Sequence, residues 1–150
     1  MNSDKKINAV VSAVGMYVPE KILDNKFFES IVDTNDEWIQ TRTGIKERRI
    51  IENGSTSDLA TNAARDLMNS FNISPDEIDL IIVATVTPDM FFPATACLVQ
   101  ENIGAKNAWG FDLSAACSGF LFALQTGCSH IESGRYQKVL VIGADKMSSI

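Results

Sequence analysis

Histidine is almost absent from this chain: His130 is the only one in 150 residues. Cysteine is scarce as well, and the spacings between Cys97, Cys117 and Cys128 match neither a zinc site nor a disulfide framework. Reduced thiols in a reducing, cytoplasmic compartment are the simplest reading, and no metal site is expected. No apolar stretch is long enough to cross a membrane. Residues 1–6 are polar and run into a strand-like sequence, so they do not read as a secretory signal. Low-complexity linkers and short repeats are missing too. Basic charge is in deficit, with 13 Lys and Arg against 19 Asp and Glu, and it is scattered apart from Lys46-Glu47-Arg48-Arg49. That distribution argues against a nucleic-acid binder.

What the chain does hold is ample apolar material, 45% of its residues, set out as alternating strands and helices. Residues 7–14 form a β-branched run that predicts a strand. Residues 25–32 and 35–41 predict short helices, divided by the cap-rich Asp33-Thr34-Asn35-Asp36. A short strand or hairpin is expected over 46–51. A longer helix follows from about Ser57 to Phe71, its apolar face made by Leu59, Ala60, Ala63, Ala64, Leu67 and Met68. After a turn over 72–79, Leu80-Ile81-Ile82-Val83-Ala84 has the unbroken apolar character of a parallel strand covered on both faces. A helix over 93–103, a strand over 108–111, a helix from Cys117 and a strand over 138–143 complete the series. Strands alternating with helices imply right-handed crossovers and a layered α/β sheet with helices on both faces. A sequence that stops at Ile150, just past an apolar strand, reads as the front half of a larger fold.

The most informative segment is Asp112-Leu113-Ser114-Ala115-Ala116-Cys117-Ser118-Gly119-Phe120, where a short strand gives way to a helix with a cysteine at the junction. From Cys117 onward Phe120, Leu121, Leu124, Cys128 and Ile131 recur at helical spacing. Unpaired amides and the positive dipole end at a helix start favour thiolate, the form of cysteine that does chemistry. Small neighbours leave room for an incoming group. On position alone, a nucleophile and a small buried hydrophobe are equally good readings of Cys117.

Four segments, in order, carry a family resemblance. Asp33-Thr34-Asn35-Asp36-Glu37-Trp38-Ile39-Gln40-Thr41-Arg42-Thr43-Gly44-Ile45 resembles the signature near the start of 3-oxoacyl-(acyl carrier protein) synthase III. Ala84-Thr85 with Phe92-Pro93-Ala94-Thr95-Ala96-Cys97, the Cys117 segment, and Val141-Ile142-Gly143-Ala144-Asp145 resemble the same family. The resemblance runs from about Ile7 to Ile150 and implies the N-terminal half of a thiolase-like fold with a layered mixed sheet. It implies that Cys117 is the nucleophile, taking an acyl group from a short acyl-CoA, for which acetyl-CoA is the first choice. Malonyl-acyl carrier protein would then be the partner in condensation. Thr34, Trp38 and Arg42 match positions that hold coenzyme A, a substrate carrier rather than a tightly bound cofactor. Phe92 matches a residue that reaches across a homodimer to line the partner's acyl pocket. No nucleic acid and no membrane enter this scheme.

The family completes its site with a His and an Asn from the second half of the fold, which lies outside these residues. His130 does not fit that role, because thirteen residues along a helix separate it from Cys117 by about 20 Å. The chain alone is therefore expected to accept an acyl group without condensing it. Cys97 and Cys128 read as packing residues, and Lys46, Arg48 and Arg49 as a solvated surface run. Trp38 and Arg42, four apart on a helix, would without the resemblance be an ordinary exposed stacking pair. Alternative readings are a thiolase-fold acyltransferase of secondary metabolism, a hydroxymethylglutaryl-CoA synthase, or a non-catalytic fragment that binds CoA.

Overall fold

A computed structural model describes residues 6–149. In chain order its elements are β1 (Lys21–Asp24), α1 (Asn25–Glu29), α2 (Asp36–Thr43), β2 (Glu47–Ile50), α3 (Thr56–Phe71), β3 (Leu80–Ala84), α4 (Thr95–Ile103), β4 (Trp109–Leu113), α5 (Gly119–Glu132) and β5 (Val139–Gly143). Single 3₁₀ turns occupy Pro75–Glu77, Ala116–Ser118 and Met147–Ser149. The described residues divide into a larger unit, 6–17 with 55–147, and a smaller one, 18–54 with 148–149.

The larger unit is built on a parallel three-stranded sheet in the order β4-β3-β5. Leu80 lies opposite Trp109 and Val139, and the register continues to Ala84 opposite Leu113 and Gly143. Every residue of β3 is buried, and alternation along the strand divides them between two cores. Ile81 and Val83 pack with Ala60, Ala64 and Met68 of α3 and with Ala96, Val99 and Ile103 of α4. Leu80, Ile82 and Ala84 pack with Ala123 of α5, flanked by Val139 and Val141. Helices thus cover both faces, as the unbroken apolar run required. Close approach of α5 to β5 depends on Gly127, where a Cβ would fall 3.1 Å from Val141 Cγ2 and 3.2 Å from Val139 Cγ1. Ser55 starts α3 with a capping box: its hydroxyl accepts from the Asp58 amide while the Asp58 carboxylate accepts from the Ser55 amide.

The expected strand over 7–14 is not a strand. A β-branched run becomes a strand only when a neighbour supplies its hydrogen bonds, and among the described residues none pairs with this one. Val10, Val11 and Val14 are accordingly exposed, at 78%, 70% and 68%. Further along, the Met16 amide donates to Asp66 of α3 at 3.0 Å.

The smaller unit holds an antiparallel pair, β1 with β2, in which Lys21 faces Ile50 and Asp24 faces Glu47. Helix α1 stops at Glu29, three residues before the expected end, because Ser30 closes it with amide and hydroxyl bonds to the Phe27 carbonyl. Ile31 and Val32, beyond the stop, are exposed. Helix α2 starts where Asn35 Oδ1 accepts from the Trp38 amide at 2.8 Å, and ends at Gly44, whose φ of 71° suits a residue without a Cβ. Among the described residues of this unit only Asn25 and Ile39 are buried.

Candidate active site

Strand β4 ends at Leu113, the Ala116–Ser118 turn follows, and α5 begins at Gly119. The helix therefore starts two residues later than the spacing of apolar residues suggested. Ala116 has φ 46°, a left-handed conformation that costs an L-residue about 1–2 kcal/mol. This kink, immediately before Cys117, leaves the cysteine side chain exposed between strand and helix. The Ser118 amide donates to the Ala115 carbonyl at 3.1 Å and the Gly119 amide to the Ala116 carbonyl. No side chain caps the start of α5, so its positive dipole end stands open beside Cys117. Phe120 and Leu121 on the first turn are 48% and 66% exposed, an apolar surface next to the thiol.

Phe92 lies on the loop that leaves the C-terminal end of β3, the strand adjacent to β4. Parallel neighbours end on the same side of a sheet, so both loops rise from one edge. Three carboxylates fasten this loop. Asp145, just after β5, accepts at Oδ1 from Thr85 Oγ1 (3.0 Å), the Val86 amide (2.8 Å) and Thr87 Oγ1 (3.1 Å). Asp89 accepts from the Ser57 amide at 2.9 Å and the Ser57 hydroxyl at 2.5 Å. Asp112, on β4, accepts from the Thr95 amide at 2.7 Å and the Ala96 amide at 2.8 Å, and so caps α4 from a distance. Ala94, the residue at the cap position itself, offers no side-chain bond. Between these anchors the tip stays free, with Phe91 and Phe92 exposed. Asp112 and Asp145 belong to the motifs read from the sequence, but nothing local announced what they hold.

Trp38 and Arg42 lie in the smaller unit, one turn apart on α2. The Arg42 guanidinium carbon sits 5.4 Å from the Trp38 ring centroid, and the indole is 53% exposed. The Thr34 hydroxyl is buried and makes no hydrogen bond, so in this conformation a ligand would meet other atoms of that residue. Asp36, the first residue of α2, has its carboxyl held below the usual carboxylate value by hydrogen bonds from Asn25 and then from Gln40.

The remaining residues weighed in the sequence have contacts of their own. His130 is in the last turn of α5, the end opposite Cys117, edge-on to Trp109 at 6.4 Å and 5.4 Å from Tyr136. Trp109 Nε1 donates to the Tyr136 hydroxyl at 2.7 Å, completing an aromatic cluster around it. Cys97 and Cys128 are half-buried on α4 and α5. Arg48 is less a solvated charge than the sequence implied: it bonds Asn25 Oδ1 and covers the Phe28 ring at 4.5 Å. Arg49 pairs with Glu47 at 3.3 Å. Among the described residues no group of His, Cys, Asp and Glu is placed to hold a metal ion. No helix among them is long and apolar enough to cross a membrane.

Comparison with known proteins agrees with the four motifs. A family model described as 3-Oxoacyl-[acyl-carrier-protein (ACP)] synthase III matches residues 111–150, the stretch that contains Cys117. The beta-ketoacyl-[acyl-carrier-protein] synthase III of Chlorobaculum tepidum is 62% identical over 146 residues, 96% of this chain and 44% of that protein. Synthase III 2 of Bacteroides thetaiotaomicron is 53% identical over 148 residues, covering 97% and 44%. The crystal structure of the Aquifex aeolicus synthase III superposes with TM-score 0.89 at 52% identity, covering 96% of this chain and 46% of that one. A priming beta-ketosynthase from a polyketide biosynthetic pathway gives TM-score 0.92 at 36% identity, covering 100% and 45%. The chain spans less than half the length of the relatives it matches. In sequence and in its thiolase-like fold it matches the N-terminal half of 3-oxoacyl-(acyl carrier protein) synthase III proteins.

Proposed function

We propose that this chain is the nucleophile-bearing half of an acyltransferase that starts fatty acid synthesis, with Cys117 carrying the acyl group. The observation that carries the reading is the exposed thiol on a left-handed kink, at the uncapped start of α5. In the first step the Cys117 thiolate attacks the carbonyl carbon of acetyl-CoA. A new carbon–sulfur bond forms to Sγ, the bond to the CoA sulfur breaks, and CoA leaves as its thiol after taking a proton. Because the Ser118 and Gly119 amides are spent on the Ala115 and Ala116 carbonyls, the Cys117 amide is the donor left to meet the developing oxyanion. Trp38 offers a ring for adenine and Arg42 a permanent cation for phosphate. Malonyl-acyl carrier protein, after loss of carbon dioxide, would supply the carbanion that displaces Cys117 from the acyl carbon. With His130 at the far end of α5, these residues contain no imidazole to assist that second step. Partnership of two such chains, with Phe92 of one lining the pocket of the other, follows from the resemblance, and its exposure is in keeping with it.

Relatives named synthase III reach 62% and 53% identity over nearly the whole chain, which favours the fatty acid reading. Incubation of the chain with acetyl-CoA followed by intact mass should show a single added acetyl group, absent from Cys117→Ser. Unchanged capture by Cys117→Ser would overturn the assignment. Sustained carbon–carbon bond formation by the chain alone would overturn its restriction to the first step.

A further inference from the structure

We propose that Asn25 is a positioning residue for coenzyme A: its amide clips both ends of α2 and thereby sets the direction of Trp38 and Arg42. The inference rests on reading those two side chains as the CoA grip. Helix α2 has eight residues, most of them polar, and buries only Ile39. So short a helix has no stability of its own in water, and one apolar side chain does not supply it. Asn25 meets the need from outside the helix. It is 2% exposed, so each polar atom of its amide must be bonded. Its Nδ2 donates to Asp36 Oδ1 at 2.7 Å and to the Ile45 carbonyl at 2.9 Å. Asp36 is the first residue of α2, and Ile45 follows the Gly44 cap at its other end. On the other side of the amide, Arg48 donates to Oδ1. Around this clip the Asp36 amide donates to Glu29 Oε1 at 2.8 Å, and Gln40 Nε2 donates to Asp36 Oδ2 at 2.7 Å.

The arrangement requires an amide rather than a side chain of that size. A carboxylate at position 25 could still accept from Arg48, but it would face the Asp36 carboxylate and the Ile45 carbonyl with no proton to share. Asn25→Asp therefore changes the chemistry and preserves the shape. In calorimetric titration of the chain with CoA at pH 8, Asn25→Asp should raise Kd about tenfold or more, the loss expected for a broken hydrogen bond to a charged group. Affinity should recover as pH falls toward 5, when the introduced carboxyl gains a proton to donate. The exchange Asn25→Asp with Asp36→Asn restores an amide facing a carboxylate and should recover much of the loss at pH 8. Alkylation of Cys117 by iodoacetamide at the parent's rate would show the larger unit intact in each variant.

Trp38→Ala separates the two layers of the claim. If the parent binds no CoA, or Trp38→Ala binds it as the parent does, the CoA reading falls and the positioning role with it. If Trp38→Ala loses binding while Asn25→Asp keeps the parent's affinity, the positioning role alone is overturned. Loss in Asn25→Asp that neither low pH nor the exchange repairs makes Asn25 a purely structural residue and overturns it as well.

Discussion

The two units hold their candidate site residues by different physics. In the larger unit Cys117 follows a strand packed in a sheet whose centre, Leu80–Ala84, is wholly buried between α3 and α4 on one side and α5 on the other. Among its described residues the smaller unit buries one apolar side chain, Ile39, and one amide, Asn25, and it places Trp38 and Arg42 through a chain of hydrogen bonds. Hydrophobic burial is strong and insensitive to pH, whereas a polar clip is directional, specific and open to titration. A thiol set against a strained kink calls for a rigid scaffold. An exposed pair such as Trp38 and Arg42 needs only a well-aimed helix.

The largest test of this contrast is Ile82→Ala. Ile82 is fully buried at the centre of β3, and its truncation should destabilise the chain by about 3–5 kcal/mol in urea unfolding. The cost should be nearly independent of salt and pH. A loss under about 1 kcal/mol would show that the sheet core is not what holds the larger unit together.

A smaller effect probes the polar fastenings that the larger unit does use. Asp112→Ala should cost about 2 kcal/mol, because it strands the Thr95 and Ala96 amides, in residues 1% and 0% exposed, without their acceptor. Thr95→Val keeps both amide bonds to Asp112, removes only the side-chain hydroxyl and should be close to neutral. The Thr95 hydroxyl is buried without a partner, so a methyl group in its place leaves no polar atom stranded. Equal costs for the two substitutions would mean that the carboxylate is not the anchor of α4.

Legibility in the sequence follows the same division. The run from Leu80 to Ala84 announced its own buried strand, because continuous apolar character has few other outcomes, and the alternating elements gave the layered α/β class. Cys117 was placed at its strand–helix junction, yet the left-handed turn at Ala116 was hidden, since alanine carries no mark of positive φ. The run over 7–14 had every local feature of a strand except a neighbour, and pairing is not a local property. Strand β1 was missed for the converse reason: Lys-Ile-Leu-Asp is short and becomes a strand only opposite Glu47–Ile50. Asn25, Asp112 and Asp145 were invisible as anchors because their partners lie 11 to 60 residues away. The motifs pointed to candidate site residues, and the polar residues that hold them in place needed coordinates.

The smallest predicted effect draws the comparison most finely, because among the described residues each unit has one carboxyl held below its usual value. Glu77, in the larger unit, is lowered first by Lys138 and then by the Ser74 amide, on an exposed turn. Asp36, in the smaller unit, is lowered by Asn25, then Gln40, with Lys26 and Lys46 adding to the effect and burial opposing it. A depressed carboxyl binds fewer protons folded than unfolded. The stability it contributes is therefore fully present above the ordinary carboxylate pKa, and it is lost as pH falls through that value toward the folded one. Both groups should respond in that acid range, and both contributions to global stability should be small, since solvent screens exposed charges. The structural consequences should differ. Protonating Glu77 loosens a peripheral ion pair, whereas protonating Asp36 releases the start of α2 from Asn25. Two-dimensional NMR through the acid range should therefore move the Trp38 indole resonance with a transition that Asp36→Asn abolishes and Glu77→Gln leaves in place. A Trp38 transition that persists in Asp36→Asn would place the acid sensitivity elsewhere and remove the clip as the element that aims the helix.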